Sequence, residues 1–325
     1  MRVLITGAFG LIGRRLTREI ISRGSLTDSA GRAHAIKELL LVDRAVPSAL
    51  PAAPFAVTAR AGDMCGEGFL VEIMAFRADS IFHLAASLTV EAERDLALGW
   101  AANLHLPLRM LEALRLGEQR AKFIYTSSIA VFGGDLPAVV ADDHVQNPQT
   151  SYGTAKAMTE RLLHDYSRHG FVDARSLRLP IVVIRPGAPT GAVSDLISAL
   201  AREPLAGRGV TAPLEAETPF PIVSVGQAAR NLVALHDAPQ SAFPGSRAVN
   251  QPALSVSVAD FVDALARIAG EDAARRVNVA PDPAITRIVA GWPRGFVTRH
   301  ALGEIITADD SLDTILAAYI AETQA

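Results

Sequence analysis

Through roughly the first 185 residues, short stretches that are apolar throughout alternate with longer ones whose apolar positions recur every three or four residues. The short runs are Val3–Thr6, Leu39–Asp43, Phe55–Ala59, Ser80–Ala85, Lys122–Ser127 and Ser176–Ile184, and each reads as a strand. Leu11, Ile12, Leu16, Ile20 and Ile21 form one stripe, which predicts a helix over Leu11–Arg23. A second helix is predicted over Glu91–Leu116, bent at Pro107, and a third from Tyr152 to Arg168, leaving through Gly170. Strands without a polar face, separated by helices, predict an α/β fold: a doubly wound parallel Rossmann sheet covered on both sides.

After Pro186 the pattern loosens, with frequent Pro and Gly and short helices near Ser194–Arg202, Val225–Leu235 and Ser257–Ala269. The division expected is residues 1–186 as the sheet domain, with some return segments from the C-terminal half, and 187–325 as a smaller mixed α/β lobe that binds substrate. Ser25–Lys37 reads as an insertion between the first helix and second strand, and Ala45–Pro54 as a surface loop.

Half of the 325 residues are apolar and a fifth are charged, enough for a sizeable core. A net charge of −3 gives no reason to expect nucleic acid or an anionic membrane as partner. One cysteine, Cys65, excludes an intramolecular disulfide, and the eight histidines show no metal-ligand spacing. The first apolar run is too short for a signal peptide and no stretch is long enough to span a bilayer, so a cytoplasmic location is expected.

The candidate chemistry begins at Thr6-Gly7-Ala8-Phe9-Gly10-Leu11-Ile12-Gly13, three glycines between the first strand and first helix. Gly7 suits a tight turn, Gly10 a phosphate approaching the backbone, and Gly13 a helix packed closely on the sheet. The helix start then offers free N–H groups to a pyrophosphate, which predicts a dinucleotide site. Asp43, closing the second strand, can accept both ribose hydroxyls and repel a 2′-phosphate, which favours NAD. Arg44 beside it could instead accommodate that phosphate.

Of 31 basic residues only three are lysines, and one of them, Lys156, lies four positions after Tyr152. That spacing puts both on one helix face. A free phenol has a pKa of about 10, so service as a base at neutral pH requires acidification by about three units. A nearby ammonium and an oxidised nicotinamide act in that direction. The preceding strand ends in hydroxyls, Thr126-Ser127-Ser128, where a doubly wound sheet offers its ligand crevice.

With Ser127-Ser128-Ile129-Ala130-Val131-Phe132-Gly133, the glycine turn and Tyr152-x-x-x-Lys156, the chain resembles the extended short-chain dehydrogenases/reductases of the NAD-dependent epimerase/dehydratase family. The resemblance implies Ser128 as the catalytic hydroxyl, Tyr152 as acid/base and Lys156 as the group that holds the ribose and acidifies Tyr152. It also implies cofactor contacts from Gly7, Phe9, Gly10, Leu11, Ile12 and Gly13, from Asp43 and Arg44, from Asp63-Met64 beside the adenine, from Leu84-Ala85-Ala86, from Asn103 and from Pro180. A homodimer paired through the apolar faces near Leu104–Leu116 and Met158–Leu163 follows by the same analogy.

Nucleotide-sugar members carry Arg-Tyr-Phe-Asn where this chain reads Arg178-Leu179-Pro180-Ile181, and an arginine ahead of a strand that here reads Phe220-Pro221-Ile222-Val223-Ser224. The stretches around Pro148–Gly153, His164–Asp173 and Pro281–Pro293 resemble members that oxidise the C2 hydroxyl of a four-carbon sugar acid to a 2-oxo acid. A carboxylate needs a cation, for which Arg185 is the candidate, although a surface ion pair is an equal use of it. Ser87 could donate to a substrate hydroxyl or cap a helix. Alternatives within the family are a nucleotide-sugar epimerase or dehydratase and a threonine-type 3-dehydrogenase; a non-catalytic dinucleotide sensor would lack the Tyr/Lys pair.

Overall fold

The computed structural model describes every residue except 188–192, 244, 291, 299 and 325. Seven parallel strands form the central sheet, in the order Ala248–Asn250, Asp173–Leu179, Lys122–Ser128, Ser80–His83, Arg2–Thr6, Glu38–Asp43, Ala56–Ala61. Alternate residues of the strands enter different cores. Val3, Ile5, Leu39, Leu41 and Phe82 pack with helices Leu11–Arg23 and Val225–Asp237. Leu4, Leu40, Val42, Ile81 and Phe123 pack with Glu67–Met74, Leu106–Leu116 and Ser151–Arg168. Covering both faces is why these strands have no polar side. A third core gathers around the sheet Ile181–Val183, Phe220–Ser224, Leu254–Val256 and helices Val193–Leu205 and Val258–Ala269.

Three local expectations are corrected. The run Ser176–Ile184 is two strands in two sheets, Asp173–Leu179 and Ile181–Val183, parted at Pro180. Proline has no N–H for the ladder, so the chain changes sheet there. The strand expected over Ser80–Ala85 stops at His83. The helix expected over Glu91–Leu116 is interrupted at Asp95, whose backbone is extended and whose side chain accepts from Leu98 N–H. It then passes through a wider π turn at Ala101–His105 before Leu106–Leu116. Pro107 cannot donate to the carbonyl four residues back, that of Asn103, and the Thr159 hydroxyl takes that acceptor at 2.8 Å. The insertion Ser25–Lys37 contains a two-stranded hairpin, Ser25–Thr27 with Ala33–Ala35.

At the opposite edge of the sheet from the strand ends, cations close the C-terminus of helix Val225–Asp237. Fully buried Arg175 donates to the carbonyls of Leu235, His236 and Ala238, and Lys122 to that of His236 at 2.7 Å. Both complement the negative helix end. Among the described residues, no helix is long and apolar enough to cross a membrane.

Two fully buried histidines generate a stability prediction. Burial pushes His83 down to about 3, helped by the charge of Lys156. Burial likewise takes His236 to about 4 against the opposing hydrogen bond to Asp237. Both stay neutral in the folded chain, while their unfolded counterparts take up protons near pH 6.5. Stability is therefore intact above pH 6.5 and declines below it, by roughly 3 kcal/mol between pH 6.5 and 5. Urea denaturation across that window, where unfolded carboxylates remain ionised, measures the fall; a flat profile contradicts it.

Candidate active site

The carboxyl ends of the parallel strands bring the sequence-predicted residues to one edge. Gly7 leaves the first strand with φ +67, and a Cβ there would lie 2.8 Å from Ala85 N, so the glycine turn rests directly on the Leu84-Ala85-Ala86 segment. Gly10 is the extended N-cap of helix Leu11–Arg23 and supplies no side-chain cap, while Gly13 is buried in the first turn. The N–H groups at Leu11 and Ile12 thus begin a helix whose positive end faces the crevice. Asp43 accepts from Phe9 N–H at 2.9 Å and from Arg44 N–H at 2.8 Å, which ties the second strand's carboxylate to the turn. The Arg44 side chain is exposed. Farther along the edge, Met64 is buried, and exposed Asp63 accepts from Cys65 N–H.

A crevice with backbone this close, an uncapped helix start and a strand-end carboxylate fits a dinucleotide, whose pyrophosphate could be held by residues 9–12 and a ribose by Asp43.

Tyr152 and Lys156 stand on helix Ser151–Arg168, whose start is held by Thr150 accepting from Gly153 N–H and by Glu93 accepting from Ser151 N–H. The helix lies on the short turn Ile129–Val131 so tightly that a Cβ at Gly153 would fall 2.0 Å from the Ala130 carbonyl oxygen. This glycine, overlooked in the sequence though it follows the tyrosine, lets the helix meet the strand end. Ser128 Oγ accepts from Ala130 N–H at 3.1 Å and is within hydrogen-bonding reach of the Tyr152 phenol. Lys156 Nζ donates to Thr126 O at 2.8 Å and sits 4.4 Å from the Tyr125 ring centre and 5.5 Å from that of Tyr152. Ser128, Tyr152 and Lys156 are therefore brought together.

The expected acidification of Tyr152 by Lys156 is not met by the polypeptide. Burial raises the Tyr152 phenol to about 12, with hydrogen bonding from Ser128 acting against it. Burial also lowers the Lys156 ammonium to about 7, opposed by the Glu160 carboxylate. Desolvation thus outweighs the hydrogen bond from Ser128, and a positive charge brought beside the ring would act to lower the phenol.

Other expected residues are engaged elsewhere. Ser87 is fully buried and donates to Glu91 Oε2 at 3.2 Å, at the start of helix Thr89–Arg94, so its hydroxyl serves that helix and not the crevice. The Asn103 amide is spent on the Ser87 backbone, accepting from its N–H at 3.1 Å and donating to its carbonyl at 3.0 Å. It holds the segment that follows Ala86 in place. Pro180 is buried at the break between the two sheets. Arg185 lies on the wall of a cleft of about 810 Å³ shared with Phe9, Leu11, Gln227 and Tyr319, but not with Ser128, Tyr152 or Lys156. Its Nε is buried without a hydrogen-bond partner. Among the described residues no group of three or more His, Cys, Asp or Glu is placed to hold a metal ion.

Comparison with known proteins agrees with this architecture. Residues 3–246 match the family described as the NAD dependent epimerase/dehydratase family. The chain is 39% identical to D-erythronate dehydrogenase of Cupriavidus necator over 320 residues, covering 98% of each chain. It is 32% identical to the Haemophilus influenzae protein of the same name, covering 98% of this chain and 99% of that one. The crystal structure of a nucleoside-diphosphate-sugar epimerase from Agrobacterium tumefaciens superposes with a TM-score of 0.92 at 34% identity, covering 100% of this chain and 94% of that one. With a glycine turn, a strand-end carboxylate and matching relatives along its whole length, the chain belongs to the NAD dependent epimerase/dehydratase family, and NAD is its coenzyme.

Proposed function

We propose that this enzyme oxidises the C2 hydroxyl of D-erythronate, or a closely related small sugar acid, to the 2-oxo acid. The observation that carries this reading is the convergence of Ser128, Tyr152 and Lys156 at the strand ends beside the glycine turn. Likeness to two D-erythronate dehydrogenases over nearly the full chain supports the choice of acid.

In this reading Tyr152 takes the hydroxyl proton of the substrate, and Ser128 donates a hydrogen bond to the same oxygen. Lys156, fixed on Thr126 O, holds its ammonium beside the Tyr152 ring and reaches the ribose. Bound in the crevice, NAD supplies a hydride acceptor and the positive charge that Tyr152 needs to ionise. Asp43 holds the adenosine ribose, and residues 9–12 hold the pyrophosphate. Arg185, with an unpaired Nε in the cleft bordered by Phe9 and Leu11, is the cation proposed for the substrate carboxylate, a role that requires this cleft to open onto Tyr152 when substrate is bound.

A nucleotide-sugar epimerase is the second reading, favoured by the Agrobacterium structure. Arg178, at the position such enzymes share, is committed to Glu160 at 2.8 Å, and the buried strand Phe220–Ser224 has no cation for a diphosphate. NADH absorbance with D-erythronate, threonine and a UDP-sugar separates the readings, because an epimerase yields no net NADH.

Tyr152→Phe is expected to lower turnover by about a thousandfold or more while NADH binding, read by fluorescence titration, stays near that of the parent. Substantial retained turnover would falsify the role given to Tyr152. Asp43→Asn should cut the preference for NAD over NADP by about tenfold or more, measured as the ratio of the two kcat/KM values. Arg185→Gln should raise KM for the acid by about tenfold or more and leave KM for NAD nearly unchanged; an unaltered KM for the acid removes Arg185 from the substrate site.

A further inference from the structure

The helix that carries Tyr152 and Lys156 has a buried carboxylate one turn on from the lysine. Glu160 is 5% exposed, and its carboxylate takes every donor around it. Oε1 accepts from Ser127 Oγ at 2.5 Å and from Arg178 Nε at 3.0 Å. Oε2 accepts from Gln146 Nε2 at 2.5 Å and from Arg178 Nη2 at 2.8 Å. Arg178, equally buried, also donates to Asp142 O at 2.8 Å and Asn250 Oδ1 at 3.3 Å, and its guanidinium lies 5.0 Å from the Phe132 ring centre. The pair thus joins the helix to the strand ending in Ser128, to the strand ending before Pro180, and to the edge strand of the sheet.

We infer that Glu160, balanced by Arg178, is a positioning residue for the active site: it anchors the strand end through Ser127 and sustains the charge of Lys156 on its own helix. This rests on the Ser128–Tyr152–Lys156 reading. Two alternatives inside a packed protein would cost less than a buried ion pair: an apolar pair, or two neutral side chains. The pair's geometry gives it a use instead. Ser127 directly precedes Ser128, so its bond to Glu160 sets the register in which the Ser128 hydroxyl meets Tyr152. Lys156 is buried against the rings of Tyr125 and Tyr152 and near neutral His83, none of which offers it a negative charge. Glu160 is the carboxylate that opposes the desolvation of Lys156. Arg178 competes with Lys156 for that carboxylate.

The chain's three lysines make the test direct. With lysine carrying ¹³C at Cε, NMR gives three side-chain signals, and Lys156→Arg assigns the one of interest. Glu160→Gln is expected to lower the titration midpoint of Lys156 by about one pH unit or more, and Arg178→Gln to raise it. A role confined to packing would not move the midpoint in opposite directions. Glu160→Asp keeps the charge and withdraws it from Ser127, so it should hold the midpoint near that of the parent and still lower kcat with NAD and D-erythronate by about tenfold. If Glu160→Gln does not fold, Arg178→Gln and Glu160→Asp carry the test, since both retain the carboxylate. Unmoved Lys156 midpoints, or parental kcat in Glu160→Asp, overturn the inference. Tyr152→Phe assayed in parallel keeps the failures apart: active Tyr152→Phe sinks the catalytic reading, whereas inactive Tyr152→Phe with unmoved midpoints sinks only this one.

Discussion

Helix Ser151–Arg168 meets the end of strand Lys122–Ser128 with no room for a side chain at Gly153, and the active site is a consequence of that contact. A methyl group there would lie inside the Ala130 carbonyl, so any larger residue forces helix and strand apart. At this separation Lys156 reaches the Thr126 carbonyl, Ser128 faces Tyr152, and Thr159 reaches the carbonyl that Pro107 leaves without a donor. The same helix also receives Ser127 and Arg178 on Glu160. One packing distance thus sets several polar contacts made by two strands and two helices.

Close packing has an electrostatic cost, which shapes the chemistry. Burial drives the phenol of Tyr152 up and the ammonium of Lys156 down, so each is held towards its neutral form. A protein that fully acidified its own tyrosine would keep a reactive phenolate in every state. In the proposed reading a cationic coenzyme would complete the electrostatics, which would couple ionisation of Tyr152 to occupancy of the crevice. The neutral His83 beneath the site follows the same logic: its Nδ1 is bonded to Thr6 Oγ1 at 2.7 Å, and the strand ends under the coenzyme loop carry no competing charge there.

Elements with strong local signals were legible residue by residue. Helix Leu11–Arg23 has the bounds that its apolar stripe predicts, and the strand runs fall within a few residues of the observed ones because both faces of the inner strands are buried. The glycine turn and the Tyr152–Lys156 spacing were equally plain, since each depends on neighbours a few positions apart. Where the local pattern misled, a distant partner or a missing donor was responsible. Ser176–Ile184 is uninterrupted in hydropathy, yet Pro180 breaks its ladder and sends the halves to different sheets. The Ser87 hydroxyl goes to Glu91 and the Asn103 amide to the Ser87 backbone, partners that no local pattern announces.

From the order of residues alone came the kind of sheet, the dinucleotide turn, the preference for a strand-end carboxylate and the two side chains placed one helical turn apart. These are matters of short-range spacing, of which side chains water excludes, and of backbone that only glycine permits. Folding settled the rest: which buried groups carry charge, which hydroxyl faces Tyr152, and which carboxylate stands behind Lys156. Those outcomes depend on desolvation and on contacts such as Glu160 with Ser127 and Arg178, whose partners lie 33 and 18 positions away along the chain. No local pattern encodes such distances, because they exist only once the strands have taken their places in the sheet.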